Sequence, residues 1–244
     1  RVGMAAQGRR RMLLFGDSIT QFGSKVDPLG WATLLQDLYV AQKRSVDIVN
    51  RGFSGYNSRW GKLILPSIIE EHRSSPPVLT TIMLGANDAS VESCRQHVPL
   101  QEYKQNLEDM VMMLRTSWPE SIIVLISPPP LDAATWDANK GGVGSGQREL
   151  VRAEMYARAC AEVAAKVSCP LLDLFSILHK EEGWERHLSD GLHLSASGNK
   201  ILFEVLIEKI RNEFPSLSDE TLPMDFMYHG DIPEDDPASV LGKR

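Results

Sequence analysis

Two stretches far apart in the chain carry side chains that could act together. Gly16-Asp17-Ser18 ends the apolar run Met12-Leu-Leu-Phe15, and Asp190-Gly191-Leu192-His193 lies near the other end of the chain. A serine hydroxyl is a weak nucleophile at neutral pH and needs a base beside it. Histidine is the usual base, and a carboxylate usually fixes its tautomer. Asp190 stands three residues before His193, and Gly191 permits a tight turn between them. The carboxylate can then fold back onto Nδ1, which leaves Nε2 to face the serine. The remaining histidines, His72, His97, His179, His187 and His229, have no carboxylate at this spacing and read as ordinary surface or partly buried residues.

Two further elements could serve the same reaction. Gly85-Ala-Asn87-Asp88 follows the apolar run from Val78 to Leu84, and Gly52 follows the run Val46 to Asn50. The Asn87 carboxamide and the Gly52 backbone N–H could donate to a developing oxyanion, and such donors typically supply the largest catalytic effect. Each element alone has a plainer reading. Ser18 would be a capping or turn serine, Asp190–His193 a surface loop, and Asn87 and Gly52 turn residues. Jointly they give a nucleophile, a base, an orienting acid and oxyanion donors, the set needed for acyl transfer through a serine ester. No Gly-Lys-Ser/Thr follows Gly16, so the loop is not a nucleotide-binding Walker loop. Ile19-Thr20 after Ser18 also excludes the Gly-x-Ser-x-Gly elbow.

These residues need a scaffold that gathers them. Apolar runs at 12–15, 46–50, 78–84, 122–126 and 170–174 read as strands. Helical patterns fall between and after them, at 31–43, 60–72, 100–117, 148–167 and 195–214. Strands alternating with helices at this spacing predict one α/β domain with a parallel sheet covered on both faces. Ligands of such sheets sit beyond the carboxyl ends of the strands. Ser18, Gly52 and Asn87 all follow strand ends, so they are expected on one rim. We expect residues 1–10 as a flexible N-terminus, 11–214 as the domain and 215–244 as an acidic, proline-containing tail. Met224, Phe226, Met227 and Tyr228 form an apolar knot in that tail. It could cover the site or mediate a homodimer.

Phe15-Gly-Asp-Ser-Ile-Thr20, the Gly52 loop, Gly85-Ala-Asn-Asp88 and Asp190-Gly-Leu-His193 resemble, in order, the four blocks of the SGNH-hydrolase (GDSL esterase/lipase) superfamily. The resemblance spans about residues 12–214 and implies a flavodoxin-like, three-layer α/β/α fold. It implies that Ser18 is the nucleophile, His193 the base and Asp190 its partner. It also implies an oxyanion hole made by the Ser18 N–H, the Gly52 N–H and the Asn87 side chain. Asn50-Arg-Gly-Phe-Ser-Gly-Tyr-Asn-Ser-Arg-Trp60, His97-Val-Pro-Leu100, Pro128-Pro-Pro130 and Asp190-Gly-Leu-His-Leu-Ser195 are similar to the isoamyl acetate-hydrolysing esterase branch. That likeness implies hydrolysis of short acyl esters such as acetates; no cofactor and no metal are expected, because the serine mechanism needs none. Another SGNH activity, such as sugar deacetylation or deacylation of a lysophospholipid or thioester, is the alternative.

Composition narrows the field. The 244 residues are 43% hydrophobic and 24% charged, with a formal net charge of −6. This is an ordinary globular balance. It lacks the basic surplus of a dedicated nucleic-acid binder. No apolar run reaches the ~18–20 residues of a membrane span. Three cysteines, Cys94, Cys160 and Cys169, fit no zinc spacing and read as free thiols. With no apolar leader near the N-terminus, the expected address is cytoplasmic. The expected partner is therefore a small-molecule ester. Gly141, Gly142, Gly144 and Gly146 suggest a loop near the pocket. Trp136 and Trp184 read as packing aromatics or pocket walls. Asp17 and Asp88 read as acids bonded to turns rather than as metal ligands. A nucleotide- or flavin-binding module is disfavoured, because Asp17 would repel phosphate. A scaffold acting through its acidic tail is the remaining non-enzymatic reading.

Overall fold

In the computed structural model, residues 9–139 and 146–241 are described. Residues 1–8 and most of the glycine-rich stretch, including Gly141, Gly142 and Gly144, lie outside them.

Alternation along the first strand sets the architecture. In β1 (Arg10–Gly16) successive side chains point to opposite faces. Met12 and Leu14 enter one core, and Leu13 and Phe15 enter the other. All four are fully buried, so β1 is covered on both sides. It pairs in parallel with β2 (Val46–Gly52) on one edge and β3 (Leu79–Met83) on the other. With β4 (Ile122–Ile126) and β5 (Leu171–Leu172), the order is β2-β1-β3-β4-β5. This is the expected flavodoxin-like sheet.

Helices complete the outer layers. On the Met12 side, the core is closed by α2 (Trp31–Gln36), α7 (Leu174–His179) and α8 (Ala196–Glu213), through Trp31, Leu35, Leu178, Leu202, Leu206 and Ile210. On the Phe15 side, α3 (Ser58–Glu71), α4 (Leu100–Ser117) and α6 (Leu150–Lys166) contribute Leu65, Leu107, Met110, Leu114 and Val163. Among the described residues, the remaining α-helices are α1 (Ser18–Phe22), α5 (Ala133–Asn139) and α9 (Ala238–Leu241).

Several elements differ from the sequence expectation. The helix expected over 31–43 changes at Asp37 into a π-helical segment, Asp37–Gln42. Its fully buried line is Trp31, Leu35 and Tyr39, a spacing of four, rather than Leu34, Leu35 and Leu38. A 3.6-residue winding would rotate Tyr39 away from that line, and the wider winding keeps it inward. The fifth strand is two residues long because Asp173 caps α7 immediately after it, accepting from the Ser176 N–H. The stretch after the prolines, expected as loop, contains α5; the Asp132 carboxylate accepts from the Thr135 N–H within its first turn.

The beginning of the tail packs on the domain. Leu217 and Leu222 join the Met12-side core, and the Tyr39 hydroxyl donates to the Leu217 carbonyl at 3.0 Å. Arg211 pairs with Asp219 at 3.0 Å. The Asp225 N–H donates to the Arg44 carbonyl, and Arg9 pairs with Asp225 at 3.2 Å. Arg9 and Arg44 precede β1 and β2, so Asp225 sits at the end of the sheet opposite Ser18. Met224 to Tyr228 therefore do not cover the rim of their own chain as suggested above. Burying a leucine contributes ~1.5–3 kcal/mol. A chain ending at Phe214 is therefore expected to melt several degrees lower than the full chain, whereas one ending at Tyr228 melts close to it. Calorimetry of the two truncations checks this.

Candidate active site

The site grows from three strand ends held side by side. Gly16 of β1 is in register with Gly52 of β2 and Met83 of β3. β1 is followed directly by α1, whose first residue is Ser18. Asp17 caps this helix through a 2.9 Å bond from the Ile19 N–H. Ser18 is buried, at the helix start where a backbone N–H has no partner within the helix. Gly52 closes against α1 from the side. A Cβ on Gly52 would lie 2.0 Å from the Gln21 nitrogen, so only glycine allows this approach.

His193 reaches Ser18 from the loop before α8. His193 Nε2 lies 2.9 Å from Ser18 Oγ, and His193 Nδ1 lies 2.7 Å from Asp190 Oδ2. Asp190 Oδ1 accepts from the backbone N–H groups of Leu192 and His193, at 3.0 and 2.8 Å. Partial burial alone would raise the Asp190 pKa. The bonds from His193, its charge and the Leu192 N–H outweigh burial and hold it at about 2. Gly191 makes the intervening turn with φ +90, where a Cβ would meet the Asp132 carbonyl at 2.4 Å. The imidazole is bracketed by Phe22 and Trp136, with ring centroids 4.9 and 6.2 Å away.

Asn87 is buried beyond β3. Its Nδ2 donates to the Tyr56 carbonyl at 2.8 Å, and its Oδ1 accepts from Arg148 Nη2 at 2.8 Å and Gln96 Nε2 at 3.2 Å. Gly52 is the exception to the expected arrangement. Its N–H was expected open toward the site, but it donates to Asn50 Oδ1 at 2.9 Å. Asn50 is itself anchored, its Nδ2 donating to the Thr20 carbonyl and Ser24 Oγ at 2.7 Å each.

Asp17 and Asp88 do bond to turns. Asp88 receives the Ser58 N–H at 3.0 Å and the Ser58 hydroxyl, tying the start of α3 to the end of β3. Burial pushes both carboxyls up to about 7, against these hydrogen bonds. Among the described residues, no cluster of His, Cys, Asp and Glu is arranged to hold a metal. Trp136 packs in the Met12-side core with its ring beside His193, and Trp184 packs on His179, with ring centroids 5.1 Å apart. Sequence reading gave no role to Phe22, Gln96 and Arg148, whose contacts to the site come from the fold, and it quoted Asn50 within a motif without its bond to Gly52.

A three-layer sheet of this order, with a Ser–His–Asp chain at its carboxyl rim, is the arrangement of SGNH hydrolases. Residues 14–201 match the GDSL-like Lipase/Acylhydrolase family, and the chain belongs to it. It is 47% identical over 199 residues to the isoamyl acetate-hydrolyzing esterase 1 homolog of Rattus norvegicus, covering 79% of this chain and 78% of that protein. The Bos taurus homolog of the same name is 42% identical over 240 residues, 95% of this chain and 92% of the other. Among solved structures, a lipase/acylhydrolase from Enterococcus faecalis superposes with a TM-score of 0.65 at 26% identity. That match covers 83% of this chain and 95% of the other. The chain is an ester hydrolase. No helix among its described residues is long and apolar enough to cross a membrane.

Two outcomes are expected of the site's scaffolding. Gly191→Ala strains the turn that carries Asp190 and His193. A small displacement of reacting groups can cost ~100-fold. Ester turnover is expected to fall on that scale, with the substrate's Michaelis constant little changed. The second outcome concerns Asp88. Between its ordinary pKa of 3.8 and about 7, the native state retains a proton that the unfolded chain has released. Stability therefore falls as pH rises through this window. The asparagine of Asp88→Asn does not ionise, so melting measured across the window should show a shallower decline than wild type.

Proposed function

We propose that the chain is a serine carboxylesterase that cleaves short acyl esters, acetates above all, through an acyl-enzyme on Ser18. The observation that carries this reading is the unbroken hydrogen-bonded chain from Ser18 Oγ through His193 to Asp190, at 2.9 and 2.7 Å. His193 Nε2 takes the hydroxyl proton as Ser18 Oγ attacks the ester carbonyl. Asp190 holds the Nδ1 proton and balances the imidazolium. The oxyanion is received by the Ser18 N–H and the second Nδ2 hydrogen of Asn87. The Gly52 N–H joins by sharing between Asn50 Oδ1 and the oxyanion. His193 then protonates the departing alcohol oxygen. A water activated by the same imidazole displaces the acyl group and restores Ser18.

The spaces around the site bear on the size of the ester, and the smaller one favours short acyl groups. A groove of about 580 Å3, lined by Tyr56, Trp60, Leu63 and Ile64 among others, adjoins the Asn87 loop through Tyr56 and Gln96. Its lining suits an apolar substituent. The space beside His193, between Ile19, Phe22, Pro28 and Leu194, is only about 30 Å3. The names of the rat and bovine homologs point to the same substrate class.

Hydrolysis of p-nitrophenyl esters from acetate to palmitate tests the reading. Acetate is expected to turn over fastest, and Ser18→Ala to lose ~10^4-fold or more of that rate. Asn87→Ala should cost ~100–1000-fold, as for an oxyanion donor elsewhere. Undiminished turnover in Ser18→Ala would discard the acyl-enzyme, and a preference for palmitate would discard the short-ester assignment.

A further inference from the structure

Arg148, just before α6, is a buried cation, 6% exposed, and it has no carboxylate within ion-pair distance among the described residues. Burying a charge without such a partner is costly. Desolvation accordingly depresses the Arg148 pKa, opposed by the more distant charges of Asp17 and Asp190. The guanidinium spends its donors on neutral acceptors. Nη1 donates to the Ala86 carbonyl, while Nη2 donates to Asn87 Oδ1 at 2.8 Å and to Gln96 Oε1 at 3.4 Å. Its central carbon stands 5.0 Å over the Trp136 ring, which also lies beside His193.

This arrangement decides which way Asn87 faces. A carboxamide has an acceptor end and a donor end of nearly the same shape. Guanidinium offers donors only, so the end of Asn87 that meets Arg148 must be Oδ1. A flipped amide would set Nδ2 against Nη2 and Oδ1 against the Tyr56 carbonyl, two repulsive contacts in a buried place. Gln96 reinforces the choice. Its Nε2 donates to Asn87 Oδ1 and to the Gly55 carbonyl at 2.8 Å, while its Oε1 faces Arg148. Charge-assisted bonds to the amide oxygen also draw density from the nitrogen, which makes Nδ2–H a stronger donor.

We infer that Arg148 is a positioning residue for the oxyanion hole, locking the Asn87 carboxamide with its N–H toward the reacting carbonyl and polarising it for that role. The inference rests on the oxyanion assignment above. Arg148 does not touch the substrate, and its effect passes through Asn87. An arginine acting through another residue shows in coupling between the two, which a merely structural arginine lacks.

The experiment is a double-mutant cycle on kcat and KM for p-nitrophenyl acetate, with melting temperatures measured beside it. Arg148→Gln is expected to lower kcat ~10–100-fold, a part of what losing the donor costs, with KM within about threefold. In the Asn87→Ala background, the same change should cost less than about threefold, because nothing remains to be oriented. Arg148→Lys keeps the charge but not the fork. It guards against misfolding of the glutamine variant and should fall between wild type and Arg148→Gln. Equal losses from Arg148→Gln or Arg148→Lys with and without Asn87 would overturn the inference and leave the oxyanion assignment standing. A neutral Asn87→Ala in a protein that Ser18→Ala inactivates would overturn both.

Discussion

The central place of β1 governs this molecule. It is hydrogen-bonded on both edges and buried on both faces, and only Asp17 separates its end from Ser18. The chain passes from β1 to β2 on one side and then crosses to β3 on the other. That reversal leaves a crevice above β1, as in open α/β sheets generally. The rim loops must come close to fill it. Gly52 lies against the α1 backbone, where no side chain would fit. The strand pairing thus brings into contact groups that the sequence separates.

The rim is stiffened by buried polar groups rather than by apolar packing alone. Asp17 caps α1, Asp88 caps the start of α3, and Arg148 ties the Ala86 and Asn87 loop to the entrance of α6. Each is costly to bury and is retained with its hydrogen bonds made. The two acids and the arginine also set the electrostatics of a site where the proposed chemistry is proton transfer. A rim held by directional bonds gives little at the scale of the reacting distances. Catalytic hydrogen-bond networks need that property.

Much of this was legible in the sequence because it is local. Short apolar runs ending in glycine marked the strands, and the three-residue spacing of Asp190 and His193 implied the turn that the structure contains. What escaped the sequence was set by distant packing. The π-helical segment exists because Tyr39 must reach the core and the Leu217 carbonyl. The acceptor for Gly52 is its near neighbour Asn50, whose orientation is fixed by Thr20 and Ser24 in another segment. Arg148 sits beside a glycine-rich stretch, and nothing in its spacing tells that it meets Asn87. The short helices α5 and α7 both carry an aspartate at their starts. That signal was readable, but α5 was hidden behind three prolines and α7 behind a two-residue strand.

Phe22 and Trp136 leave the imidazole of His193 little freedom to swing, and Asp190 fixes its remaining nitrogen. In the proposed reaction, the alcohol that leaves and the water that enters must therefore use the same doorway, in front of one stationary nitrogen. The two oxygen nucleophiles are then rivals for a single berth. An added alcohol small enough for that berth would be handed the acyl group in place of water. In that proposed reaction the fixed ring serves either oxygen, and the acyl group is divided between them by their relative supply and reactivity.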